Sequence, residues 1–350
     1  MKVYFSDFFD VTPATIEDYG AFDISLINDL PLFVDPFLLF NSKKPEYQEL
    51  HEKVLCYVAF LRDHAVSRSV DLGLLRSWYC FPEVKQTWLG YSKIGNSGRG
   101  PGIEFAKALH MNLGGIFSDF GKQKIARSSH VEKLCLIKEN IGRDNISDFV
   151  TNLIKGYLLR YTQEFAAEHI KPIYLKKYSV GHVDFNYKTM TWTSESFQLP
   201  SFNNNYVLLT PKDLLTKDDT WINKTDLVKN FDDFVASVSN NELRSQLSIY
   251  FISSLPEPKL NKNGTEKKHS KEELARAVNA VIGKYPELLE YYIKFKEDNG
   301  ERAKAISEER VEEVYSLFVT ELSSFISKLA DSTSFYKKGW DTLAESYERV

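Results

Sequence analysis

The sequence has few cysteines, and they are not spaced for disulfide or metal chemistry. Cys56, Cys80 and Cys135 are odd in number and lack the CxxC spacing of zinc fingers. A disulfide-stabilised secreted scaffold and a zinc finger are therefore not expected. The nucleophile motif GxSxG is missing, as are the phosphate-binding motif GxxxxGK[ST] and a GxGxxG after an obvious strand. The sequence thus gives no support to a serine hydrolase, a P-loop enzyme or a dinucleotide-binding enzyme.

Long hydrophobic runs and an excess of positive charge are also missing. No uncharged apolar run approaches the ~18 residues that would span a bilayer. The N-terminus reaches an acid at Asp7 without an apolar core segment, which predicts no secretory signal peptide. The net charge of −4 argues against a protein that coats nucleic acid or an anionic membrane with its whole surface, but it allows a local basic patch. We expect a cytoplasmic protein without a membrane partner.

The residues that are present indicate a globular chain longer than one usual core, with 43% apolar and 26% charged residues over 350 positions. Apolar residues recur at helical spacing in residues 46–68 and 149–165, whereas residues 183–187 alternate like a strand and residues 189–192 complete a hairpin. We predict an α+β fold, with a mixed sheet and packed core helices in residues 1–255. A basic linker, residues 256–270, then leads to a helical C-terminal domain, residues 271–350.

The stretch from Arg127 to Glu168 carries most of the functional information. The apolar run Leu134–Ile137 is interpreted as a buried strand that leads through a turn into a helix. Glu132 would then lie at the start of the strand, and Asp144 and Asp148 at or near the start of the helix. Carboxylates that converge in this way suit Mg²⁺ or Mn²⁺, which phosphodiester hydrolysis uses. The expected metal ligands are Glu132, Asp144 and Asp148, and the expected catalytic lysines are Lys133 and Lys138.

Positive charge accumulates beside these acids. From Gly121 to Arg143, six basic side chains accompany two acidic ones, although the chain as a whole is net negative. Such a local surplus is typical of phosphate contacts, and we expect Arg143 and Arg127 to bind a nucleic-acid backbone. Arg99, at the tip of the glycine-rich loop Gly95–Gly102, is a third candidate for such a contact, although the loop also fits a mobile surface segment.

The same residues also have a plain structural interpretation. An aspartate at a helix start commonly caps the helix, so Ser147 or Asp148 could serve as the cap, and Asp144 could shape a turn. His130 lies two residues before Glu132, and it fits either a general base or a hydrogen-bonded surface histidine. The sequence alone leaves these alternatives open.

The arrangement Gly142-Arg143-Asp144 with Asp148, Glu132 upstream and lysines nearby resembles the acidic core of PD-(D/E)xK nucleases over about forty residues. That family includes many prokaryotic restriction and defence enzymes, and it places an (Asp/Glu)-x-Lys triplet on the strand after its first aspartate. Here a helix is predicted after Asp148 instead. The triplets that the sequence offers are Glu83-Val84-Lys85, Glu257-Pro258-Lys259 and Glu266-Lys267-Lys268.

The resemblance implies a metal-dependent nuclease or related phosphodiester hydrolase, active on DNA or RNA and at work in bacterial antiviral defence. The alternative is a non-enzymatic subunit that binds partner proteins through its aromatic surface and C-terminal helices. The two differ in what a structure must contain. A nuclease needs carboxylates near one point, whereas an interaction subunit needs an exposed apolar patch.

Overall fold

Helices dominate the computed structural model of the protein, which describes residues 2–65, 71–90, 102–116, 121, 123–137, 142–217, 219–263 and 265–330. The helices in these ranges are α1 (Phe5–Phe9), α2 (Pro13–Asp18), α3 (Pro36–Asn41), α4 (Pro45–Ala65), α5 (Leu72–Tyr79), α6 (Ile103–Ile116), α7 (Lys133–Ile137), α8 (Arg143–Leu153), α9 (Lys155–His169), α10 (Lys224–Lys229), α11 (Phe231–Ala236), α12 (Asn241–Ser254), α13 (Lys271–Lys284), α14 (Leu288–Asp298) and α15 (Gly300–Ala330). The strands are β1 (Phe33–Val34), β2 (Leu175–Asn186), β3 (Thr191–Phe202), β4 (Asn205–Tyr206) and β5 (Leu215–Thr216). The predicted α+β class is confirmed.

The strands form two small antiparallel sheets in the order β2-β3-β4 and β1-β5, rather than one mixed sheet. The predicted hairpin is present, and its strands are longer than the alternating segment that indicated it. Val183 and Phe185 face the core from β2, as Phe197 and Leu199 do from β3. The register shifts between Gly181 and Phe185, so β2 contains a bulge.

The stripe predicted as one helix over 149–165 is two helices, α8 and α9, separated at Ile154. Ile154 has φ −95° and ψ 5°, outside the helical region, and its side chain is fully buried. A break of one residue barely disturbs the spacing of apolar side chains, so the pattern does not reveal it. The first of the two helices also begins earlier, at Arg143.

The predicted strand Leu134–Ile137 is wrong, because this run forms the short helix α7. Leu134, Cys135 and Leu136 are all buried, so the run has no polar side that would indicate a helical period. A short run buried on every side looks the same in a strand and in a helix. Glu132 therefore precedes a helix, and its side chain is aimed differently from the expectation.

The C-terminal helices share the hydrophobic core of the rest of the chain. Tyr292 of α14 and Val311 of α15 belong to the same buried cluster as Phe37 of α3. The Asn41 side-chain amide donates to the Gly300 carbonyl at 3.0 Å. Residues 256–263 and 265–270, which belong to the predicted basic linker, contain no helix. No helix in the described ranges is both long enough and apolar enough to cross a membrane.

Candidate functional site

The start of α8 places two aspartates on one side of the helix. Gly142 has extended backbone at the N-cap, and the side-chain oxygen of Asn145 accepts from its N–H at 3.2 Å. Asp144 lies in the first turn, where the positive end of the helix dipole favours a carboxylate. Asp148 follows four residues later and so lies on the same face. Ser147 and Asp148 are inside the helix, so the prediction that one of them caps it is wrong.

Two hydrogen bonds fix this helix against neighbouring segments. The Val34 backbone N–H donates to Ser147 Oγ at 2.9 Å, which joins α8 to β1. The buried amide of Asn152 donates to the Pro82 carbonyl at 2.7 Å and to the Asp148 carbonyl at 2.8 Å. Pro82 directly precedes Glu83, so Asn152 ties the Glu83 segment to the helix that carries the two aspartates.

Glu83, Asp144 and Asp148 form an acidic cluster whose members repel one another. Burial raises the pKa of Asp148 to about 8, and the charges of Asp144 and then Glu83 add to the shift. Burial also raises the pKa of Asp144, against the opposing effect of Arg143. Burial raises the pKa of Glu83, where Lys85 lowers it and Asp144 raises it further. Each carboxyl is thus harder to ionise than in water.

Arg143 and Lys85 offset only part of the negative charge of the acidic cluster, through their effects on the pKa of Asp144 and of Glu83. Within the described ranges, no group donates a hydrogen bond to any of the three carboxylates and no cationic nitrogen lies within 4.0 Å of them, and Glu83 Oε2 is buried without a partner there. Asp144 is exposed, whereas Glu83 and Asp148 are half-buried. Carboxylates that are removed from water are normally paired or hydrogen-bonded, so leaving Glu83 and Asp148 unpaired has a free-energy cost. Among the described residues, no three Asp, Glu, His or Cys side chains are arranged to coordinate one metal ion directly.

Glu132, the third expected ligand, is not brought to Asp144 and Asp148. It is 1% exposed, and its Oε2 lies 4.0 Å from Nδ1 of the equally buried His130. Burial raises the pKa of Glu132 well above its usual value, and the charge of Asp35 raises it further. The expected ligand set of Glu132, Asp144 and Asp148 is therefore not assembled, because the residue before α7 points into the core.

The two described arginines among the expected substrate contacts have different surroundings. The Arg143 guanidinium lies 4.7 Å from the centroid of the Phe33 ring and 4.0 Å from the Asp219 carboxylate. Its charge lowers the pKa of Asp144, which places it beside the acidic cluster. Arg127 is instead bound to α14, where its guanidinium donates to the Glu297 carbonyl. Arg127 is thus engaged away from the acidic cluster.

Of the two expected lysines, the structure describes Lys133. Lys133 is the first residue of α7, and its charge is not among the causes that shift the pKa of Asp144 or Asp148. Lys138 and Arg99 lie outside the described residues, as does most of the glycine-rich loop that carries Arg99.

Glu83, with Lys85 two residues later, is the member of the acidic cluster that the sequence did not single out. Its only signal was the triplet Glu83-Val84-Lys85, which is distant in sequence from both aspartates. The triplet lies in an irregular segment that enters the 3₁₀ helix Lys85–Thr87, and not on a strand. Long-range proximity of this kind depends on tertiary packing, here on the Asn152 hydrogen bonds.

A second polar group is buried where α14 meets the segment before α7. The Glu297 carboxylate accepts from the backbone N–H of Arg127 at 2.7 Å and of Ser128 at 2.9 Å, and it lies 3.1 Å from His130 Nε2. His130 is hydrogen-bonded, as one of its two interpretations held, but it is buried rather than at the surface. These contacts hold the segment in place.

Comparisons with known proteins give one match. The model of a family described as a domain of unknown function (DUF8370) matches residues 10–223, a span that contains all three members of the acidic cluster. No curated protein and no solved structure shows significant similarity to the chain.

Proposed function

Because the chain belongs to the family described as a domain of unknown function (DUF8370), its chemistry is inferred from its own side chains, and we propose that it is a metal-dependent phosphodiester hydrolase. The observation that supports this proposal is the acidic cluster of Glu83, Asp144 and Asp148, in which no carboxylate has a hydrogen-bond or ion-pair partner among the described residues. Cleavage of DNA or RNA is the activity that such a cluster, beside Arg143 and Lys85, serves best.

The acidic cluster fits a hard divalent cation. Mg²⁺ usually keeps several waters and binds through one or two carboxylates, so it does not require three direct protein ligands. Asp144 and Asp148 would hold the ion from one face of α8, and the unpartnered Glu83 Oε2 would contact it directly or through water. A bound Mg²⁺ or Mn²⁺ supplies Lewis-acid polarisation of a phosphoryl oxygen and a more acidic water.

The basic side chains beside the cluster have distinct roles in this proposal. Arg143, held over Phe33, would orient a phosphate by charge and by its planar fork of donors. Lys85, whose charge lowers the pKa of Glu83, would stabilise the negative charge that develops on the phosphate. The triplet Glu83-Val84-Lys85 beside Asp144 supports the PD-(D/E)xK resemblance, although it departs from that family in not lying on a strand. A cytoplasmic location belongs to the same proposal, as does a role in antiviral defence, which rests on the resemblance alone.

The experiment is a cleavage assay on the full chain. Supercoiled plasmid, single-stranded DNA and RNA are incubated with Mg²⁺ or Mn²⁺, and with EDTA as the blank. Cleavage is expected with the metals only, and Asp148→Asn and Glu83→Gln are expected to lose at least about a hundredfold in rate, as for other groups that stabilise charge in a transition state. Asp18→Asn, an exposed aspartate on α2, is the matched control and should retain full activity. Full activity in both site variants, or no cleavage of any substrate, would contradict the proposal.

A second function is favoured by a separate observation on α12. Ile249 and Ile252 are 67% and 68% exposed and lie three residues apart on one face, and Leu260 beyond the helix is 68% exposed. Exposed aliphatic side chains that cluster are typical of protein-binding surfaces. This observation favours a protein-interaction subunit, with its surface on α12 rather than on the helices after residue 270. Sedimentation of wild type and Ile252→Lys tests it, since a self-binding surface would lose its concentration-dependent association.

A further inference from the structure

Lys155, the first residue of α9, is a buried cation without a counter-ion. It is 9% exposed, and its ammonium donates to the Gly181 carbonyl at 2.7 Å. No carboxylate in the described part of the chain lies within 4.0 Å of its Nζ. Burial lowers the pKa of Lys155 to about 8. A buried charge is normally paired, and Lys296, the other strongly buried ammonium, has Asp226 at 2.8 Å. The Lys155 ammonium therefore keeps donors that no carboxylate in the described part of the chain uses.

His182 lies beside Lys155 in a conformation that few histidines adopt. Its φ is +56°, in the left-handed region, and it lies within the bulge of β2. Its imidazole stacks on the Trp192 indole with the ring centroids 5.2 Å apart and the planes 11° from parallel. The Trp192 indole N–H in turn donates to the Ser77 carbonyl at 2.8 Å. Left-handed backbone at a non-glycine residue costs free energy and persists where its surroundings hold it, often at functional sites.

The acids nearest this pair are already neutralised by other cations. Asp184 of β2 binds Lys53 of α4 and Arg160 of α9, the latter at 3.1 Å. Arg160 also lies 3.8 Å from Glu195 of β3. Four cationic or protonatable groups, from three elements, thus surround two acids. The surplus positive charge resides on Lys155. Burial and then the charge of Lys155 lower the pKa of His182, so this imidazole is mostly neutral at pH 7 and offers an N–H donor rather than a charge.

We propose that Lys155 and His182 form a binding site for a phosphate group. That this phosphate belongs to the backbone of a nucleic-acid strand, and flanks the phosphate bound at the acidic cluster, rests on the proposed function. The ammonium of Lys155 would donate to the phosphate oxygens while keeping its bond to Gly181, since it has three donors. The exposed His182 imidazole would donate from the open side of the site. Binding an anion here would relieve the cost of the unpaired buried ammonium.

Equilibrium titrations with EDTA present test this site without any need for cleavage. The probes are a labelled single-stranded DNA and, separately, inorganic phosphate. Lys155→Met is expected to weaken DNA binding about tenfold and to reduce the dependence of affinity on salt by about one phosphate contact. His182→Asn keeps a residue type that tolerates left-handed backbone, and it is expected to weaken binding by a smaller factor. Lys177→Met, an exposed lysine on the same strand, is the matched control.

The outcomes separate the site from the proposed enzyme. DNA binding that depends on Lys155 but not on Lys177, without cleavage under any condition, would support the phosphate site and contradict the hydrolase. Inorganic phosphate binding with the same dependence, and no DNA binding, would assign the site to a free phosphate or nucleotide. Affinities for both probes that are unchanged in Lys155→Met and His182→Asn, with the folds intact by circular dichroism, would overturn the proposal. Lys155→Arg should retain binding, because it keeps the charge.

Discussion

Replacing Asp148 by asparagine should stabilise the protein, and by an amount that depends on pH. In the unfolded chain this carboxyl has its ordinary pKa of 3.8, whereas burial and the neighbouring acids raise the folded value to about 8. Because its pKa is higher in the folded than in the unfolded state, the Asp148 carboxyl contributes most to the free energy of unfolding when the pH is below its pKa in the unfolded state. That contribution is lost as the pH rises through its pKa in the folded state. Ionisation therefore opposes folding from about pH 4 upward and reaches its full effect above pH 8.

The magnitude follows from the size of the shift. One pKa unit corresponds to about 1.4 kcal/mol, so a change from 3.8 to about 8 sets an upper limit of roughly 5 kcal/mol. The amide of asparagine also has a desolvation cost, and Asp144 and Glu83 share in the shift. We therefore expect Asp148→Asn to gain about 2 kcal/mol at pH 8.5 and almost nothing at pH 4.

Urea unfolding followed by circular dichroism at pH 4, 6, 7 and 8.5 measures this difference. Asp18→Asn serves as the control, because this exposed side chain should show no pH-dependent gain. Excess Mg²⁺ should stabilise wild type at pH 8.5 and should stabilise Asp148→Asn less, since the ion loses a ligand. A variant that is destabilised by the same amount at every pH would refute the reasoning, because the carboxylate would then have partners in the folded state.

Three further substitutions test other parts of the structure by urea unfolding at pH 7. Glu132→Gln should change stability by less than about 1 kcal/mol and keep any cleavage activity, because burial raises the pKa of the native carboxyl well above its usual value, which disfavours its charge, and the amide has the same shape. Lost activity in a folded variant would instead place Glu132 in the active site. Gly156→Ala should destabilise by about 2 kcal/mol, because a Cβ there would lie 2.7 Å from Asp184 Oδ1. Gly283→Ala, with nothing within 4 Å, is its control, and equal effects would contradict the clash. Lys296→Met should cost roughly 3 kcal/mol, because it leaves the Asp226 carboxylate without its cation; a neutral result would mean that Asp226 is adequately solvated.

Patterns that arise within one element were readable from the sequence. The apolar spacing of α4 and the alternation in β2 reflect which side of each element faces the core, and both elements are present. The acids at Asp144 and Asp148 were likewise found from their place at a helix start. Glu83 could not be assigned to the same site, because its approach depends on a hydrogen bond between Asn152 and Pro82, seventy residues away in the chain. Glu132 was misplaced because a short buried run does not distinguish α7 from a strand.

The hydrogen bonds between Glu297 and residues 127–130 bear on which truncated fragments of this protein can fold. The family match ends at residue 223, yet the segment that precedes α7 is held by a carboxylate from residue 297, and the Trp221 indole donates to the Lys296 carbonyl at 3.0 Å. A fragment limited to the matched span would expose the surface that α14 covers. It would also leave the backbone N–H groups of Arg127 and Ser128 without their acceptor. The span matched by the family and the part of the chain that unfolds cooperatively therefore end at different residues. An isolated fragment of the matched span should melt early or aggregate, whereas the full chain should unfold in a single transition.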